Sequence, residues 1–145
     1  MSDFDQIAWK TIHDRPKMVL AEAKGFRSRD YRQLGEKLAA GAEFVLVWSD
    51  FTHAFFDYRD PSFFAYPPPE SLSPGWQAIL AGAAEWLSHE FDLPKPAWVD
   101  DPKYTLPSPW DPEGICDNFK RDLAECEEPF RKRNVLFQGR DLIAL

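Results

Sequence analysis

The sequence predicts an all-α fold: a single domain over residues 1–145, of about five helices around one buried central helix, wrapped by a strap rich in proline and tryptophan. Three observations carry this. Trp76, Ile79, Leu80, Ala83, Leu87 and Phe91 recur at spacings of three and four, which puts them on one side of a helix. Tyr31, Leu34, Leu38, Val45, Trp48 and Phe55 repeat in a similar way over an earlier stretch. The segment "LPKPAWVDDPKYTLPSPW", residues 93–110, holds five prolines and two tryptophans. Those prolines forbid a helix, and a flexible linker has no use for the tryptophans.

Taken in order, residues 3–13 show an apolar helical side (Phe4, Ile7, Ile12), with Ser2 or Asp3 to cap it. Pro16 suits the first turn of a short helix that Gly25 can end. Ser28 is the expected cap of the next helix. That helix is expected to run from Tyr31 without a break through "FVLVWSDFTHAFF", because no turn residue is evident between the two halves. A strand competes for "EFVLVW", whose β-branched and aromatic residues favour sheets. The second half is apolar nearly all round and is therefore the expected central helix, with Gly35 and Gly41 marking close approach by neighbouring helices. Pro67, Pro68 and Pro69 fix an extended turn. A Ser73 hydroxyl cap followed by Pro74 starts the next helix, and Pro94 stops it. The strap then occupies roughly residues 92–115, with Trp98, Tyr104 and Trp110 as anchors and Pro94 and Pro96 in structural roles. Cys116 or Asp117 opens a helix over "DNFKRDLAECEE", and Pro129 begins a last segment in which "NVLF" reads as extended and "RDLIAL" as a helical turn.

At 145 residues and 44% hydrophobic, the chain can bury one core. Its net charge of −7 is unevenly spread: residues 1–40 carry +2, residues 41–128 carry −12 and residues 129–145 carry +3. An acidic middle repels phosphate, so no direct nucleic-acid binding is expected, whereas a basic protein surface would be attracted. No apolar run is long enough to span a bilayer and the first residues lack the pattern of a signal peptide. A cytoplasmic protein with Cys116 and Cys126 reduced is the expectation.

Motifs for chemistry are sparse. There is no Gly-x-Ser-x-Gly and no glycine-rich phosphate loop, and neither cysteine lies among cations that would activate it. The chain is therefore read as a non-enzyme without a cofactor. Asp50 with His53, and Glu85 with His89, sit at helical spacings that could offer metal ligands between helices, but they are too few and no metal is expected. The clusters Arg27, Arg29, Arg32 and Arg131, Lys132, Arg133 could grip phosphate; pairing with the chain's own acids is the favoured reading. Trp48, Trp76 and Trp86 are assigned to the core.

The series "EWL" (85–87), "LPKPAWVDDPKY" (93–104), "LPSPW" (106–110), "PFRKRNV" (129–135) and "DLIAL" (141–145) resembles a family of small bacterial proteins with Leu-Pro-x-Pro-x-Trp, Pro-Trp and Pro-x-Phe/Leu-Arg-x-Arg-Asn-Val motifs. The matching positions are Trp86, Pro94, Pro96, Trp98, Pro109, Trp110, Phe130, Arg131, Arg133 and Asn134. Many such proteins are encoded beside nucleotidyltransferase-like enzymes, in pairs that look like toxin–antitoxin modules. The resemblance implies an antitoxin-like partner of an enzyme encoded by a neighbouring gene. The expected function is thus protein–protein interaction. Trp98, Trp110 and Tyr104 are its candidate anchors, with Asp100, Asp101, Glu125, Glu127 and Glu128 as an acidic rim. The alternative is a small-ligand module whose pocket is lined by the aromatics at 48, 76, 86, 98 and 110. On either reading the strap is a clasp across the helices or part of the binding face.

Overall fold

The structure, a computed structural model, describes residues 28–139. The helices expected over 3–13 and 16–24, the turn over 140–145, His13 and Arg27 lie outside the described residues. The described chain is all-α. Its five α-helices are α1 (Tyr31–Ala39), α2 (Phe44–Tyr58), α3 (Pro74–Glu90), α4 (Phe119–Ala124) and α5 (Glu128–Arg131). Three 3-10 turns join them, at Pro61–Phe64, Ala97–Asp100 and Pro102–Tyr104. Among the described residues there is no strand, only one isolated parallel bridge between Trp110 and Val135.

Residues 43–48 belong to a helix start, not a strand, but the long helix expected from Tyr31 is two. It breaks at residues 40–43, where Gly41 has φ of +98°. A Cβ at Gly41 would meet nothing, so this glycine serves the turn and not a close approach. At Gly35 the close approach is real, although the neighbour is the ring of Pro69 and not a helix. Two of the expected caps also differ. Asp30, not Ser28, caps α1 by accepting from the Gln33 N–H at 2.8 Å. Ser73 stands at the start of α3 with Pro74 following, but its hydroxyl makes no capping bond.

A central buried helix is present, and it is α3 instead of the stretch that looked apolar all round. Residues 78–84 of α3 are all buried, because alanines and Gly82 let neighbours close in on every side. The buried positions of α2 (Phe44, Val47, Trp48, Phe51, Thr52, Ala54, Phe55) form a single stripe. Between the helices lies one aromatic cluster. Trp48 stacks on Phe44 and Phe51, with centroids 5.6 and 5.2 Å away, and Tyr31 donates its hydroxyl to the Leu80 carbonyl at 2.8 Å. Burial pushes the Tyr31 hydroxyl pKa well above its ordinary value.

The strap lies against this cluster as a clasp. Trp98 donates its indole N–H to the Phe64 carbonyl at 2.9 Å, and its ring meets Tyr31 and Tyr104 edge-on at 5.9 and 5.2 Å. Trp110 meets Trp76 edge-on at 6.0 Å. The extended piece expected at "NVLF" pairs with the strap: the Trp110 N–H donates to Asn134 O and the Leu136 N–H to Trp110 O, at 2.8 and 2.9 Å.

Candidate functional site: an acidic groove

The C-terminal end of α3 is closed by a six-residue turn. The Leu93 N–H reaches back to Ser88 O at 2.8 Å and the Asp92 N–H to His89 O. This motif needs a left-handed residue after the cap, usually glycine. Here Asp92 fills it at φ of +54°. Aspartate tolerates that conformation better than most residues, but its charge adds to the partial negative charge of the helix end. Glu90, the last residue of α3, adds another. Carboxylates at this end of a helix work against the helix dipole, so their presence here needs a reason beyond stability.

Facing them is the start of α5. Glu127 and Glu128 stand at its N-terminus, and Pro129 follows in its first turn. Together with the first residues of the strap, the two helix ends enclose a groove of about 740 Å³. Trp86, Leu93 and Pro129 supply apolar wall, and Glu85, Glu90, Asp92, Glu127 and Glu128 supply carboxylates. The cations of the lining are Lys95, drawn to Asp100 at 3.0 Å, and His89 when protonated. Glu90, Asp92 and Glu128 have no lysine or arginine partner among the described residues. Glu127 is engaged, accepting from the Gly139 N–H at 2.6 Å.

The groove is held in shape by a buried arginine. Arg133, with a side chain 3% exposed, donates to Glu85 at 3.0 Å, to the Val99 carbonyl at 2.8 Å and to the Pro129 carbonyl at 2.7 Å. It thereby ties α3, the strap and α5 together. Asn134, at φ of +63°, follows with a bond from its amide to Leu106 O at 2.7 Å. Lys132 joins Glu85 from outside at 2.8 Å. Burial alone would raise the Glu85 pKa, but the hydrogen bonds and charges of Lys132 and Arg133 outweigh it and hold the carboxyl below its ordinary range.

The sequence-predicted site residues fall into two groups. Tyr104 is buried at 1% exposure, so it is an internal anchor and not a contact for a partner. Trp98 and Trp110 are half-buried, with their faces spent on the chain's own aromatics. Trp48 and Trp86 are core as expected, Trp76 and Pro96 are half-buried, and Pro94 is exposed. Of the acidic rim, Glu127 and Glu128 line the groove and Asp100 adjoins it through Lys95. Asp101 instead caps the 3-10 turn at Lys103, and Glu125 is exposed away from the lining. Glu90 and Asp92 were missed as site residues, and Glu85 was weighed only as a metal ligand with His89. The signal for the first two was available: acids where a helix ends.

Of the five aromatics proposed for a ligand pocket, Trp86 alone lines this groove. Arg133 does not present itself to phosphate, and Arg131 donates to the Cys126 carbonyl at 3.1 Å. Arg29 leans over the Tyr58 ring at 4.9 Å. Among the described residues no three metal-binding side chains converge: Glu85 is held by cations and His89 is exposed. Cys116 and Cys126 are free. Burial first, then nearby acids, pushes both thiols up, opposite to what a thiolate nucleophile needs. No described helix is long and apolar enough to cross a membrane. Comparison of the chain with family models, curated proteins and solved structures gives no match.

Proposed function

We propose that this chain is a non-enzymatic interaction module whose acidic groove receives basic side chains from a protein partner. The observation that supports this best is the pairing of carboxylates without a lysine or arginine partner among the described residues (Glu90, Asp92, Glu128) with an apolar wall (Trp86, Leu93, Pro129). Lysine and arginine carry exactly two such parts, an aliphatic stem that seeks apolar surface and a charged head that seeks carboxylate. The net charge of −12 over residues 41–128 would speed encounter with a basic surface. The motif resemblance adds the partner class. An antitoxin-like protein would restrain a nucleotidyltransferase-type enzyme in the cytoplasm, and the cleft of such an enzyme must be electropositive to hold nucleotide phosphate. The aromatic-pocket reading has less support, since Trp76 packs on Trp110 while Trp48 and Trp98 pack on other rings of the core.

The test mixes this protein with the separately purified product of an adjacent nucleotidyltransferase-like gene at low ionic strength. A complex, together with relief of the enzyme's growth inhibition on co-expression, is the expected result. No complex and unrelieved inhibition would remove the antitoxin-like reading.

A further inference from the structure

A second surface stands apart from the groove. Helix α4 has no buried residue. Six residues without core packing make a marginal helix, since a helix this short depends on what its faces touch. Just before and within it, Ile115 is 63% exposed and Phe119 is 37% exposed, two of the large apolar side chains the molecule leaves in water. Their exposure is built into the backbone. Asp111 accepts from the N–H groups of Glu113, Ile115 and Cys116, each at 2.9 Å, which fixes the turn that carries Ile115 outward. Asn118 caps α4 through the Arg121 N–H. Five carboxylates against two cations lie along residues 111–125; Arg121 bridges Asp117 and Asp122 at 3.6 and 2.8 Å and Asp111 holds the turn, so Glu113 and Glu125 are the acids not engaged there.

We propose that Ile115 and Phe119, in a stretch of net negative charge with Glu113 and Glu125 beside them, together dock a basic amphipathic helix of the partner. Charge decides the occupant. An anionic membrane or a second copy of this acidic stretch would meet like charge, whereas a helix with apolar residues three and four apart and lysines around them matches both the apolar pair and the acids beside it. The proposal rests on the reading of the chain as a binder of basic protein, and gives that binder a second, apolar point of attachment.

The probe is a synthetic peptide with leucines at helical spacing and lysines elsewhere, titrated into the full-length protein at low salt and followed by amide NMR shifts. Its control replaces the leucines by serines and keeps every lysine. The leucine–lysine peptide should shift amides over residues 113–123. Its Kd should rise by about tenfold or more in I115S/F119S. The melting temperature of that variant should fall only slightly, because neither side chain belongs to the core. The serine–lysine control should bind more weakly, at the groove, and be indifferent to I115S/F119S. Equal binding of the leucine–lysine peptide to parent and variant would overturn the apolar contact and leave the groove reading intact. Binding of neither peptide would remove both. A dimer seen in sedimentation that I115S/F119S abolishes would assign the face to a second copy and likewise overturn the proposal.

Discussion

At the scale of single residues, Asp92 and Arg133 place charge in opposite settings. Asp92 holds a left-handed position that glycine would hold without strain, at a helix end where its charge is unwelcome. Asp92→Gly should therefore raise stability, by up to about 1 kcal/mol in chemical denaturation, while weakening the capture of a basic partner. A variant that loses stability would show that the Asp92 side chain supports the fold. Arg133 is the opposite case. Its charge is buried, and Arg133→Ala would leave two carbonyls unpaired and Glu85 with Lys132 alone, costing roughly 3 kcal/mol. The Glu85 carboxyl sits below its ordinary range in the folded chain, so its contribution is complete above the unfolded value of about 4.3 and is lost as pH falls through the lower folded value. Melting temperature should fall in acid more steeply for the parent than for Glu85→Gln. Parallel curves would mean that the pair contributes nothing.

At the scale of elements, the helical period made α3 legible and Ser73–Pro74 marked its start, but it ends at Glu90, before the expected stop at Pro94, in the turn at Asp92. The same period misled at residues 40–43. Spacing continued across the break, and Gly41 carried the turn by its backbone conformation alone, which no hydrophobic pattern records. The central helix was misplaced for a related reason. Burial on every side of α3 comes from small residues that score weakly as apolar, whereas the bulky side chains of α2 crowd one stripe. Gly82 tests this directly. A Cβ there would stand 2.8 Å from the Phe130 ring, so Gly82→Ala should destabilise by about 1–3 kcal/mol although alanine is the better helix former. The strap was readable as a clasp from its tryptophans; its other half, Arg133 and Asn134, was not, because a cluster of basic residues in sequence says nothing about which one is buried. Trp98→Ala should cost roughly 3 kcal/mol through the lost ring contacts and the stranded Phe64 carbonyl. A loss well below 1 kcal/mol would leave that indole available for a partner.

At the scale of the whole molecule, paired and unpaired carboxylates are kept in different places. Arg133 and Lys132 neutralise Glu85 inside the clasp, while Glu90, Asp92 and Glu128 line the groove with no lysine or arginine partner among the described residues. The fold thus uses two cations to hold the strap, and under the proposed function the groove carboxylates serve a partner. The groove itself was only half legible in the sequence. Glu127 and Glu128 were in view as an acidic run, but their alignment with the end of α3 depends on the long-range tie through Arg133. The measurement that bears most directly on the central claim compares the parent with Glu90→Lys/Glu128→Lys for binding to the adjacent-gene enzyme, over roughly 0.05 to 0.5 M salt. Both positions are exposed and outside the clasp, so the double variant should melt with the parent. The account predicts that the parent's affinity falls as salt rises, that the variant is at least about tenfold weaker at the low end, and that the two converge at the high end. Equal affinity of parent and variant at low salt would contradict it.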